Sequence, residues 1–130
     1  MRENEVAATV VDACFKLHNK LGPGLLETVY ETFLEHELTK RGLRVRRQVA
    51  QPVEYEGIRL DQGFRLDLLV EESVIVEVKS VEELAEIHFK QVLTYLRLSN
   101  MRLGLLVNFN TPYIKDGIRR IVNNLSECSS

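Results

Sequence analysis

Residues 63–80 read GFRLDLLVEESVIVEVKS, and the fold turns on how this stretch is folded back on itself. Phe64, Leu66, Leu68 and Val70 alternate with Arg65, Asp67 and Leu69, the period-two pattern of a β-strand. Glu71-Glu72-Ser73 makes a short polar loop into Val74–Ser80, a second strand of valines and isoleucine interrupted by Glu77 and Lys79. A three-residue loop sets Val70 against Val74, which places Asp67 directly opposite Glu77 and Arg65 opposite Lys79. Glu77 and Lys79 share one face of their strand, and Val74, Val76 and Val78 share the other. Two carboxylates facing each other across a sheet repel, so a cation is expected between them: Lys79, Arg65 or a divalent metal. The plainer alternative is a half-exposed strand with surface ion pairs.

Outward from this hairpin, the chain reads as helices before and mixed elements after. Val6, Val10, Ala13, Leu17 and Leu21 give a helical stripe over about residues 5–21, which Gly22-Pro23-Gly24 ends. A second helix is expected from about Leu25 to Arg41, with Leu26, Val29, Tyr30, Phe33, Leu34 and Leu38 inward and Gly42 as its stop. Strand-like spacing of Val45, Val49 and Val53 leads to a turn at Glu56-Gly57. The helical period returns from about Glu82 to Leu98, with Leu84, Ile87, Gln91, Tyr95 and Leu98 on one side. Leu103–Phe109 is a continuous apolar run suited to a strand covered on both faces, and a last helix is expected near Ile114 to Leu125. The order predicts an α/β fold, a central mixed β-sheet flanked by α-helices. One domain is expected over residues 1–125, followed by a polar tail over 126–130.

Composition narrows the function. The 130 residues are 45% hydrophobic, with a formal net charge of -2, so nucleic acid is not coated by bulk electrostatics and any contact with it must be local. Cys14 and Cys128 form neither a disulfide framework nor a zinc spacing with His18 and His36, which fits a reducing, cytoplasmic setting. The acidic N-terminal stretch is unlike a signal peptide, and no apolar run reaches membrane-spanning length. Lys40, Arg41, Arg44, Arg46 and Arg47 are dense enough to steer a phosphate backbone, or are a solvated helix end and strand. His88 either flanks the site or serves packing.

Asp67, then Glu77-Val78-Lys79, then a helix with Gln91-x-x-x-Tyr95, resembles the PD-(D/E)XK nuclease superfamily. More narrowly, Gly24-Leu25-Leu26-Glu27-Thr28-Val29-Tyr30, with the closing Gly104–Phe109 strand, resembles the small GxxExxY proteins of that superfamily. The resemblance implies a restriction-endonuclease-like core and a divalent-metal-dependent nuclease that uses Mg²⁺ or Mn²⁺ to hydrolyse phosphodiester bonds in DNA or RNA. It makes Asp67, Glu77 and the Val78 carbonyl metal ligands and Lys79 the catalytic lysine. Glu27 becomes an acidic group reaching the metal directly or through water, and Gln91 and Tyr95 become supports for the substrate phosphate or the metal shell. From spacing alone, Glu27 equally serves its helix N-terminus, and Gln91 and Tyr95 equally serve packing. The position before Asp67 is Leu66 where the superfamily name has proline. The competing expectation is a catalytically silent nuclease fold used to bind nucleic acid or protein, and a second copy or a protein partner is left open.

Overall fold

The computed structural model describes residues 2–125, and the 126–130 tail with Cys128 lies outside them. Helix α1 (Glu3–Leu21) and helix α2 (Glu27–Lys40) precede strands β1 (Val45–Tyr55), β2 (Ile58–Val70) and β3 (Val74–Lys79). Helix α3 (Glu86–Ser99), strand β4 (Leu103–Asn108), a 3₁₀ turn (Ile114–Gly117) and strand β5 (Ile118–Val122) follow. The strands lie in the order β1-β2-β3-β4-β5, antiparallel except for the parallel β3–β4 pair. A parallel pair needs a long crossover, and α3 supplies it. The sheet is therefore mixed and flanked by helices, as expected.

Each sheet face carries its own core. Val6, Val10, Leu17, Tyr30, Leu34 and Leu38 of α1 and α2 pack on Leu68, Val70, Val74, Val76, Val78, Leu103, Leu105 and Val107. Val92 and Leu96 of α3 pack on Leu66, Leu69, Ile75 and Leu106 of the other face. Every residue of β4 is buried, as a strand covered on both sides requires. Gly104 lets α3 approach, since a Cβ there would lie 2.8 Å from Cγ1 of Val92.

Three expectations are corrected. The last helix is instead the 3₁₀ turn and β5. Ile118 packs into the α1/α2 core and Ile121 into the α3 core, so a spacing that looks helical is one residue on each face of a strand. In α2, Leu26 and Phe33 face solvent, while Glu31 and Glu37 are buried among the apolar positions. In α3, Ile87 and Leu98 are exposed, and the helix begins at Glu86. The preceding backbone is already committed, because the Asn108 side chain takes the Val81 N–H at 3.1 Å and donates to the Val81 carbonyl at 3.0 Å.

Candidate metal and phosphodiester site

The hairpin loop keeps the expected register: Val70 pairs with Val74, Leu69 with Ile75 and Leu68 with Val76. Both loop glutamates, Glu71 and Glu72, adopt left-handed backbone, which closes the tight connection. One step past Leu68 and Val76, the ladder gives way to side chains. The Asp67 N–H donates to Oε2 of Glu77 at 2.8 Å, and the Val78 N–H donates to Oδ2 of Asp67 at 2.9 Å. Asp67 and Glu77 thus face each other, each carboxylate accepting the amide that a regular ladder would have given to a carbonyl. In extended backbone a residue's N–H and C=O leave to the same side, so the Val78 carbonyl also faces the β2 side of β3. Pairing with β2 ends before Lys79, so Arg65, expected opposite it, is instead registered against Ala50 of β1. Lys79 is registered against Asn108 of β4.

The strict alternation expected for residues 64–70 inverts at Asp67. Leu68 and Val70 belong to the α1/α2 face, whereas Phe64 and Leu66 belong to the α3 face. The partner strand shows the same inversion at Gln48, a left-handed residue (φ 52°) lying between Arg47↔Leu68 and Val49↔Leu66. Asp67 therefore sits where the sheet is locally twisted, and the twist turns its carboxylate toward β3.

Burial and repulsion set the electrostatics. Glu77 is 3% exposed, and burial, then the Asp67 charge, push its carboxyl up to about 8; the Asp67 N–H and Lys79 oppose this. Asp67 is raised for the same first reason, burial, with the charges of Glu31 and Glu27 adding and the Val78 N–H and Lys79 subtracting. Oε1 of Glu77 accepts no hydrogen bond among the described residues. Lys79 makes no ion pair among them either. These groups form an acidic, oxygen-rich site with a neighbouring free ammonium.

Neighbouring elements complete the surroundings. Glu27 is exposed, and its Oε2 accepts the Ser80 N–H at 3.2 Å while the Ser80 hydroxyl donates to the Leu25 carbonyl at 2.6 Å. Tyr30, stacked on Phe109 at 4.4 Å, donates to the Gly22 carbonyl and accepts the Leu25 N–H, fixing the turn that presents Glu27. On α3, the Tyr95 ring stacks on Phe64 at 4.5 Å. Burial, then the charges of Glu77 and Asp67, raise its hydroxyl, which places Tyr95 within the field of the acidic pair. The side chains of Gln91 and Tyr95 make no hydrogen bonds among the described residues, so their polar ends are not spent on packing.

Sequence reasoning missed Glu31, Gln48, Ser80 and Asn108. Glu31 is 6% exposed, one helical turn after Glu27, and accepts from Gln48 at 2.8 Å and Arg47 at 3.3 Å. Its signal was a charge at an inward helical position with a basic residue and an amide in the next strand. Other candidates make contacts of their own. Lys40, Arg41, Arg44, Arg46 and Arg47 each lie within ion-pair distance of a carboxylate. His88 accepts the Ala85 N–H at 2.9 Å and caps α3, and His18 bonds the Thr111 carbonyl at 2.8 Å. Burial pushes the Cys14 thiol up to about 12, making it a packing residue.

A model of the PD-(D/E)XK nuclease superfamily matches residues 4–121. The chain belongs to that superfamily. None of the curated proteins matches it in sequence. Among solved structures, it is similar to the crystal structure of SSO0001, with a TM-score of 0.57 and 21% identity over 79% of this chain. The chain spans about half the length of SSO0001, 53%, and the likeness is one of fold. Within this superfamily member, Asp67 and the Glu77-Val78-Lys79 run occupy the splayed end of the β2–β3 hairpin. Among the described residues, no three His, Cys, Asp or Glu side chains converge as a ready metal cluster, and no helix is long and apolar enough to cross a membrane.

Proposed function

We propose that the protein is a divalent-metal-dependent nuclease that hydrolyses phosphodiester bonds in DNA or RNA. The observation that carries this reading is the Asp67–Glu77 pair, two largely buried carboxylates held face to face beside Lys79, which makes no ion pair among the described residues. Burial and mutual repulsion make that pair unfavourable by itself, and a divalent cation reverses both effects. The donor set fits a hard cation such as Mg²⁺ or Mn²⁺: oxygen from Asp67, Glu77 and the Val78 carbonyl, with water filling the remaining positions. Glu27, tied to the Ser80 N–H, would act through water. When bound, the cation would supply Lewis acidity toward the scissile phosphate and make an attacking water more acidic.

The chain's own residues supply the rest. Lys79 projects a positive charge without a carboxylate partner among the described residues, suited to stabilising negative charge that grows on the phosphate in the transition state. Gln91 and Tyr95 offer unspent donors to phosphate oxygens or to ordered water. Asn108 and the Phe109 N–H, which donates to the Lys79 carbonyl at 2.9 Å, fix the backbone on which Lys79 rides. The test is a panel of single-stranded, double-stranded and branched DNA and RNA incubated with Mg²⁺ or Mn²⁺. Wild type is expected to cleave at least one substrate, and Asp67→Asn and Lys79→Ala to lose that cleavage. Cleavage that survives in both variants removes the proposed site. Metal and nucleic-acid binding with no cleavage would establish a silent binding module instead.

A further inference from the structure

We propose that Gln48 is a positioning residue for this site: its side-chain amide bridges Glu31 and Asp67 and sets the Asp67 carboxylate for a divalent cation without adding charge. The inference rests on the metal-site reading above.

The geometry places Nε2 of Gln48 2.8 Å from Oε1 of Glu31 and 3.5 Å from Oδ1 of Asp67. The first is a firm hydrogen bond, and the second lies at the outer limit of one. An amide nitrogen carries two N–H donors, and ionised carboxylates only accept, so the NH₂ end must face both acids. On its other side, Asp67 is held through Oδ2 by the Val78 N–H. Its carboxylate is thus fixed from two directions, by a backbone donor of β3 and a side-chain donor of β1.

The backbone gives the second, independent observation. Gln48 has φ 52° inside β1, a left-handed conformation that is unfavourable for a residue with a Cβ and that glycine or asparagine tolerates better. Glycine would relieve the backbone but reach neither acid, and asparagine is one methylene shorter. The strain is therefore matched to a side chain long enough to span Glu31 and Asp67.

Charge explains why the bridge is an amide. A lysine or arginine at position 48 would offset the acidic pair and compete with a metal cation, and a glutamate would add a further repelling acid. Arg47 already balances Glu31 at 3.3 Å. A neutral double donor orders the two acids and leaves the Asp67–Glu77 charge facing the site.

The test measures Mn²⁺ affinity by calorimetry and the melting temperature of the metal-free full chain for wild type, Asp67→Asn, Gln48→Met, Gln48→Gly and Glu31→Gln. Gln48→Met removes both donors at similar length, and Gln48→Gly also relieves the backbone. Both are expected to weaken Mn²⁺ binding about 10–100-fold, the usual loss when a partner of a metal ligand is removed. Gln48→Gly should do so while melting no lower than wild type, which separates positioning from a merely structural role. Adding Glu31→Gln to Gln48→Met should weaken binding no further, since the two act through one bridge. If wild type binds, Asp67→Asn does not, and both Gln48 variants bind as wild type, Gln48 positions nothing while the metal site stands. If wild type does not bind, or Asp67→Asn binds equally well, the metal-site reading fails and this inference with it.

Discussion

The two ends of the β2–β3 hairpin differ by one residue step. At the loop end, Leu68, Leu69 and Val70 pair with Val76, Ile75 and Val74, and their side chains fill both cores. At the open end, Asp67 and Glu77 replace ladder partners with carboxylates, and burial drives both toward protonation, helped by the charge of Asp67 at Glu77 and by those of Glu31 and Glu27 at Asp67. The first arrangement gains from hydrophobic burial and satisfied backbone. The second gives up stability and, in the proposed reading, gains affinity for a cation. The contrast teaches that the apolar end is the rigid mount on which an unfavourable acidic pair can be held.

Substitutions on the two sides of this step should therefore part company. Leu68→Ala, at a fully buried position, is expected to lower stability by about 3 kcal/mol, read as a fall in the denaturant midpoint. Asp67→Asn, one residue away, should leave metal-free stability equal or higher because it removes a repelling charge. A matching loss in both would erase the distinction between mount and site. Lys79→Ala is expected to reduce kcat about 10²–10³-fold with an unchanged melting temperature, since Lys79 has no ion pair to lose among the described residues. A large melting change there would make Lys79 a structural residue. Tyr95→Phe keeps the ring on Phe64 and removes only the hydroxyl, so a fall in cleavage of about tenfold or less is expected, with stability retained. An effect as large as that of Lys79→Ala would move Tyr95 from the margin of the site to its centre.

Much of this contrast is legible in the sequence. A three-residue loop between two apolar runs is enough to set Asp67 opposite Glu77, and the strand period is enough to put Glu77 and Lys79 on one face. The physical hazard of two facing carboxylates then marks the position. The inversion of side-chain direction at Asp67 was not legible, because it depends on the left-handed backbone of Gln48 in a neighbouring strand. Glu31 was hidden for a related reason: its partners, Arg47 and Gln48, become neighbours only once α2 lies beside β1. The last element misled because Ile114, Ile118, Ile121 and Leu125 keep helical spacing, although Ile118 and Ile121 serve opposite faces of a covered sheet. Local periodicity identifies elements that bury one face, and loses its discrimination where both faces are covered.

The most direct measurement of the central claim is the melting temperature of wild type and Glu77→Gln between pH 4.5 and 8.5, with and without Mn²⁺. The Glu77 carboxyl is raised from 4.5 to about 8, so folded protein retains a proton that unfolded chain releases in this window. Metal-free wild type should therefore lose stability as pH rises from about 4.5 toward 8, by on the order of a few kcal/mol, and level off above it. Glu77→Gln should show a much flatter profile. Near pH 8, Mn²⁺ should raise the melting temperature of wild type and leave Glu77→Gln almost unmoved. A wild-type profile as flat as that of the variant, or an equal response of both to Mn²⁺, would contradict the account.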